Sequence, residues 1–206
     1  MDPINKTIRA YDKIAERYCK RTKEEGDRDF QKEMLLKTLS HLPDDPRVID
    51  LGCGDGRDTE YMRKKGVDVV GIDLSKSMIS LARSKYPRCT FIHSDMRETV
   101  FPEDTFHAAW ANASLINLPK SELSHVEKEV YRILEPEGIF AFSFKEGEGE
   151  GFETSVIEEH ERYCSYYTLE EIRKKMNLFD IFHSEESPNK IFGEKFIYCW
   201  GRARGR

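Results

Sequence analysis

The stretch "DLGCGDGRD", residues 50–58, places glycines at positions 52, 54 and 56 directly behind the apolar pair Val48-Ile49. Glycine at alternate positions lets a backbone turn sharply and approach a bound group closely, and behind an apolar run it marks a strand-to-helix turn. The rest of the chain agrees with an α/β design. Strand-like runs recur at "RVIDLG", "DVVGID", "CTFIHS", "FHAAWA" and "GIFAFSF", with helix-like stretches near 57–65, 75–86 and 121–134 between them. Ser75 and Ser121 stand as helix caps. After the third strand run, "DMRETVFPEDT" is too short for a crossover helix and reads mostly as loop. Such alternation implies a parallel sheet with helices on both faces.

Both flanks depart from the alternation. Ile4, Ile8, Tyr11, Ile14, Ala15 and Tyr18 recur at three- and four-residue steps, which predicts an amphipathic helix. The polar break "KEEGDRD" separates it from a second helix, roughly 28–41, with Phe30, Met34, Leu35 and Leu39 inward. After residue 144 the acidic, glycine-rich "KEGEGEGFE" reads as a mobile loop, and "TLEEIRKKM" as a helix capped by Thr168. The segments "LFDIFHSEE" and "EKFIYCWGRA" read as two strands joined by "SPNKIFG" as a hairpin connection, so the last strand enters antiparallel. The tail "RARGR" is expected to fray. The chain reads as a single domain, 1–206, with residues 1–45 a helical lid or extension.

Composition narrows the setting. A 206-residue chain is long enough for a sizeable core, and 38% hydrophobic with 34% charged residues lies well short of disorder. A net charge of −5 gives no global attraction to nucleic acid or anionic lipid. No apolar run approaches the ~20 residues of a membrane span, and the N-terminus has no secretory apolar core. Five dispersed cysteines without a C-x-x-C pair argue for reduced thiols and against a zinc site. A cytoplasmic protein with no metal is expected.

The glycine turn selects among ligands. A dinucleotide fingerprint is G-x-G-x-x-G; counted from Gly52 its third position is Arg57, and counted from Gly54 it is Thr59. What remains is D-x-G-x-G-x-G, from Asp50 to Gly56. This pattern and its sequel resemble the class I S-adenosylmethionine-dependent methyltransferases, over roughly residues 11–200. That resemblance implies a Rossmann-like three-layer sandwich around a seven-stranded, mostly parallel sheet with an antiparallel last strand. It implies S-adenosyl-L-methionine as cofactor, with Asp50, Gly52, Cys53, Gly54 and Gly56 at the first turn. Asp73 ends the second strand as the ribose ligand, and Asp95 with Met96 follows the third strand beside the adenine. Leu74, Met78 and Ala111 complete the set. "LEPEG" stands where many members carry "LkPGG". Tyr11 and Tyr18, in "YDKIAERY", match a segment whose aromatic rings close over the cofactor. The chemistry is apt: a cofactor carboxylate suits the amides of a glycine turn and helix start, its ammonium suits Asp50 or nearby backbone carbonyls, and one carboxylate can accept two vicinal hydroxyls. Arg57 is a further candidate for the cofactor's carboxylate.

The acceptor is less legible, because methyl transfer to a good nucleophile rests mainly on alignment and desolvation. No catalytic residue is assigned. "WANASLINLP" lacks the N/D-P-P-Y motif of amino-methylating enzymes. His107 stands where many relatives have Asp, and Ile116-Asn117 where many have a histidine pair, which leaves Asn112 and Asn117 as polar candidates. Glu146, Glu148 and Glu150 in the acidic loop would favour a cationic acceptor. His160, Arg162, Tyr163, Tyr166 and Tyr167 fall in a segment that approaches the acceptor pocket in related enzymes. The expectation is a methyltransferase acting on O, N or S of a small molecule. An RNA or protein methyltransferase, or an inactive cofactor-binding regulator, are the alternatives.

Overall fold

Val48, Ile49 and Leu51 lose essentially all solvent contact in the first strand, β1 (Arg47–Leu51), which lies inside the sheet between β2 (Asp68–Asp73) and β4 (Phe106–Ala111). Continuous apolar runs of this kind are what a strand covered on both faces requires. The computed structural model describes residues 2–25, 28–154, 161–187 and 194–205. Outside β2 lies β3 (Thr90–His93), and beyond β4 lies β5 (Leu134–Glu146), all five parallel. The helices α3 (Arg57–Lys64) and α4 (Lys76–Lys85) connect β1 to β2 and β2 to β3, and α5 (Leu123–Ile133) connects β4 to β5. Strand order runs outward one way for β1–β2–β3 and the other way for β4–β5. With right-handed crossovers, that reversal puts α3 and α4 on the face opposite α5.

The second half of the sheet is antiparallel. The last strand, β9 (Phe196–Ala203), inserts antiparallel between β5 and β8 (Phe179–Glu186), giving the expected seven-stranded core in the order β3-β2-β1-β4-β5-β9-β8. Two strands are added to it. The stretch expected to be a mobile loop instead turns at Gly147 and Gly149 and forms β6 (Glu150–Thr154), paired antiparallel with β7 (Glu161–Tyr167). Because β9 occupies one side of β5 through Lys145, β7 joins β5 on the other side, past the end of β4. It packs there on the short 3-10 turn Leu115–Asn117, where Ser165 Oγ donates to the Leu118 carbonyl at 2.6 Å.

Local capping is mixed. Ser75 Oγ accepts from Met78 N at 3.1 Å, and Thr168 Oγ1 accepts from Glu171 N at 3.1 Å, starting α4 and α6 (Leu169–Lys175) as expected. Ser121 does not cap α5: the capping position is Glu122, with no side-chain bond to the helix amides. The expected frayed tail is in fact strand as far as Ala203, and Arg204 N still donates to the Leu178 carbonyl at 2.9 Å. The hairpin expected at "SPNKIFG" lies largely outside the described residues.

Two helices precede the sheet. α2 (Arg28–Leu39) buries Met34 and Leu35, and its Thr38 Oγ1 accepts from Trp200 Nε1 of β9 at 2.9 Å. α1 (Pro3–Glu25) bridges α4 and β7. On one side Asp12 Oδ1 accepts from Ser75 Oγ at 2.6 Å and Ser77 N at 3.1 Å, so a carboxylate from α1 sits at the amino end of α4. On the other, Thr7 Oγ1 accepts from Tyr163 N at 2.9 Å. Among the described residues no helix is long and apolar enough to cross a membrane.

"LEPEG" has a conformational cost. Glu137 stands at φ 63°, in the left-handed region, where an L side chain is disfavoured by about 1–2 kcal/mol. Its carboxylate has only an exposed contact, 3.8 Å from Arg202. Glu137→Gly is therefore expected to stabilise the fold by roughly 0.5–1 kcal/mol once glycine's greater unfolded-state freedom is subtracted. A urea midpoint that stays the same or falls in the variant contradicts this strain.

Candidate functional site

The ends of β1, β2 and β3, the segment after β4, and β7 surround one cavity of about 400 Å³, roofed by α1. It opens where strand order reverses, between β1 and β4, the place where open α/β sheets take ligands. Its size suits a cofactor-sized molecule, ~300–1,000 Å³ being the usual range for ligand sites.

The glycine turn forms the floor. Gly52, Gly54 and Gly56 have φ of 72°, 55° and 82°. A Cβ on Gly52 would lie 2.4 Å from Ser114 Cβ, whereas one on Gly54 would meet nothing within 4 Å and would project into open space. The amides expected to be free for a carboxylate are already used. Gly52 N and Cys53 N both donate to the Ile72 carbonyl, at 2.8 and 2.9 Å, and Gly54 N donates to Asp73 Oδ2 at 3.0 Å. The turn thus spends its donors on joining β1 to β2, leaving the first amides of α3 as its anion-facing donors.

Asp73 also accepts from Ser75 N at 2.8 Å through Oδ1, so each oxygen holds one backbone amide and keeps lone-pair capacity. Burial pushes its pKa up. Asp95 is gripped by its neighbour Arg97, with Nη2 donating to Oδ2 at 2.6 Å. Burial pushes Asp95 up, but the guanidinium outweighs it and holds the carboxyl below its usual range. Asp50 and Asp58 form the deepest acidic pair. Thr59 Oγ1 donates to Asp50 at 2.6 Å, while Asp58 accepts from Arg57 Nε at 2.7 Å and from Trp110 Nε1 and Asn112 Nδ2, each at 3.1 Å. Burial, then the nearby Asp58 charge, lifts Asp50 to about 8; Asp58 is also penalised by burial, but Arg57 and its hydrogen bonds bring it below its usual range.

Of the residues expected at the site, Tyr11, Tyr18, Asp50, Gly52, Cys53, Gly54, Asp73, Leu74, Met78, Asp95 and Met96 line this one cavity. Gly56 and Ala111 do not. Gly56 lets α3 begin against Phe91, whose ring Cζ would lie 2.4 Å from an added Cβ, and Ala111 is buried within the sheet. Arg57, Asn112 and Asn117 also line it. His107 lies at the opposite end of β4, where its Nδ1 accepts from Arg47 N at 3.0 Å. His160 lies outside the described residues.

The rest of the wall was not legible as site. Ser114, whose Oγ has no hydrogen-bond partner among the described residues, follows Ala113, held at φ 54° with its amide donating to Ser143 Oγ at 2.8 Å. Thr7, Gln31, Lys145 and Glu153 contribute as well, and Gln31 Oε1 is buried without a partner. Glu146, Glu148 and Glu150 are exposed and lie outside the wall; the glutamate of that segment that reaches the cavity is Glu153. The signal was the alternation in "EGFET", which turns Gly151 and Glu153 to one face once the stretch is read as strand.

An open α/β sheet with a cofactor-sized cavity at its switch point defines a broad class of ligand-binding folds. Residues 48–138 match the family described as "Methyltransferase domain". The protein YqeM of Bacillus subtilis, named as a methyltransferase, is 35% identical over 134 residues, 61% of this chain and 53% of its own length. Trans-aconitate 2-methyltransferase of Escherichia coli is 38% identical over 98 residues, 46% of this chain and 37% of its own length. The chain thus spans about half of YqeM and just over a third of the second relative. The structure of 1,6-didemethyltoxoflavin-N1-methyltransferase of Burkholderia thailandensis, with 1,6-didemethyltoxoflavin and S-adenosylhomocysteine bound, superposes with a TM-score of 0.76 at 21% identity, covering 96% of this chain and 88% of that one. Residues 48–138 thus match a methyltransferase domain, and the chain shares the fold of the Burkholderia enzyme's structure.

Asp50 gives the site a pH signature. Its folded pKa is raised, so the stability it contributes is full below its unfolded value near pH ~4 and is lost as pH rises through about 8. Asp50→Asn cannot titrate. The wild-type protein should therefore lose melting temperature relative to this variant across that interval, and a constant difference between the two contradicts the assignment.

Proposed function

We propose that this chain transfers the methyl group of S-adenosyl-L-methionine to a small-molecule acceptor. The observation that carries the reading is that Asp50, the glycine turn, Asp73 and Asp95, from three successive strand ends, open on one cavity whose wall also includes Asn117, Lys145, Glu153 and Arg162. Asp73 would accept the two ribose hydroxyls, while Leu74, Met78, Asp95 and Met96 would surround the adenine. Gly54, with nothing near its missing Cβ, leaves room for the methionine end against the start of α3. Asp50 would take the ammonium, a cation that favours its charged form. Bound there, the cofactor supplies a sulfonium-activated methyl group. The chain's own part is to exclude water, through α1 and the rings of Tyr11 and Tyr18 at 5.2 Å edge to face, and to hold the acceptor's lone pair in line with that methyl. No side chain in the wall is assigned as general base. The names of the trans-aconitate and didemethyltoxoflavin enzymes support a small-molecule acceptor.

Calorimetry with S-adenosylhomocysteine tests the cofactor assignment. Asp73→Ala should keep the sheet while releasing the Gly54 and Ser75 amides, and should weaken binding by about 1.5–3 kcal/mol, the scale of hydrogen bonds to a charged group. Unchanged affinity in that variant contradicts the ribose role.

The roof has its own test. If α1 closes over bound cofactor, amides in residues 4–20 should exchange more slowly when the protein is saturated with S-adenosylhomocysteine, because closure orders a segment of low local stability. Equal exchange with and without ligand makes α1 a fixed structural helix.

A further inference from the structure

Beyond the cofactor floor, the cavity wall contains a guanidinium whose hydrogen bonding is incomplete. Arg162, on β7, has a side chain only 12% exposed. Among the described residues two of its five N–H groups are used: Nη1 donates to Tyr11 Oη at 3.1 Å and Nη2 to Glu153 Oε1 at 3.3 Å, while Nε has no partner. Its one carboxylate contact is shared. Glu153 Oε1 also accepts from Lys145 Nζ at 2.8 Å and Cys164 Sγ at 2.6 Å, and Oε2 accepts from Tyr166 Oη. Glu194 approaches the other cation, lying 3.6 Å from Lys145 Nζ. Glu153 therefore serves both buried cations, Lys145 has Glu194 as a second and longer contact, and Arg162 has the longer contact to Glu153. A buried charge with unspent donors is costly, and a planar guanidinium is completed best by an oxyanion it can grip with two parallel N–H groups.

We propose that the methyl acceptor carries an anionic oxygen group, of carboxylate type, that pairs with Arg162 beside Tyr11, with its apolar body against Ile8, Phe196 and Tyr198. This rests on the methyltransferase reading and names the substrate class of the same cavity. Glu153 is not free to receive an amine, because four donors already occupy its two oxygens. A cationic acceptor would meet Lys145 and Arg162 beside the occupied Glu153, and the Glu194 carboxylate there already lies 3.6 Å from Lys145 Nζ. The hydrogen bonds of Arg162 reach the roof and β6, and none reaches the glycine turn.

The test uses the whole chain saturated with S-adenosylhomocysteine, titrated calorimetrically with succinate, benzoate and 3-phenylpropionate and with the amide of each. At least one acid should bind about tenfold or more tightly than its amide, and Arg162→Gln should bring that acid down to the amide's affinity, with Arg162→Lys between them. Cofactor affinity in Arg162→Gln should stay within about twofold of wild type. The proposal is overturned if the amides bind as well as the acids, or if no acid binds more tightly than about 1 mM. It is also overturned if Arg162→Gln leaves the acid unaffected, or weakens S-adenosylhomocysteine as strongly as the acid. The acid-to-amide comparison on wild-type protein needs no variant to fold. Failure of S-adenosylhomocysteine to bind wild-type protein is a different result and refutes the cofactor reading instead.

Discussion

Two amides, Gly52 N and Cys53 N, converge on the Ile72 carbonyl at the end of β2, and the rest of the site depends on that junction. It can form only if the chain leaving β1 adopts left-handed backbone at Gly52, which glycine does without a steric penalty. The junction brings Gly54 N onto Asp73, fixing that carboxylate at the rim, and delivers the chain into α3 with Asp58 and Thr59 beneath the cavity. A side chain at Gly52 would collide with Ser114, so the same glycine also sets how closely the turn after β1 approaches the segment after β4. One backbone constraint therefore spaces the strand ends and aims their acidic side chains.

The second organising element is the roof. α1 is held by Asp12 at the start of α4, Thr7 on the β7 backbone, Tyr11 on Asn117 and Arg162, the Lys6–Glu161 ion pair, the packing of Cys19 and Ala15 around Met78, and Ile4 in the main core. The polar ones among these grip α4, β7 and the turn after β4, elements that border the cavity. α1 thereby forms the roof of the cavity. It also links the two halves of the site, since Tyr11 touches Arg162 at the acceptor end while Cys19 of the same helix lies 3.9 Å from Met78 at the cofactor end.

Much of this was legible in the sequence, and the limits have physical causes. The glycine turn, Asp73 and Asp95 could be placed because a parallel sheet fixes where its strands end, and ligand-binding residues cluster at those ends. The N-terminal helix could be read from its apolar period. The β6–β7 pair was hidden because "KEGEGEGFE" has the composition of a solvated loop, although its alternation is that of a strand. That one misreading hid Glu153 and, with it, the reason Lys145 lies buried at the end of an apolar strand. Ser121 showed the reverse problem: a good capping residue was present, but the turn before α5 began the helix two residues later. The free amides expected at the glycine turn were also misjudged, because nothing in the motif shows that β2 consumes them.

The proposed function puts a cofactor end and an acceptor end in one cavity, with the transferable methyl at their boundary. A crystal structure of the complex with S-adenosylhomocysteine tests it most directly. The claim predicts the ribose on Asp73, the adenine beside Asp95 and Met96, and the thioether sulfur facing the chamber bounded by Tyr11, Asn117 and Arg162. A sulfur directed away from that chamber, or a ligand whose carboxylate occupies Arg162, contradicts it.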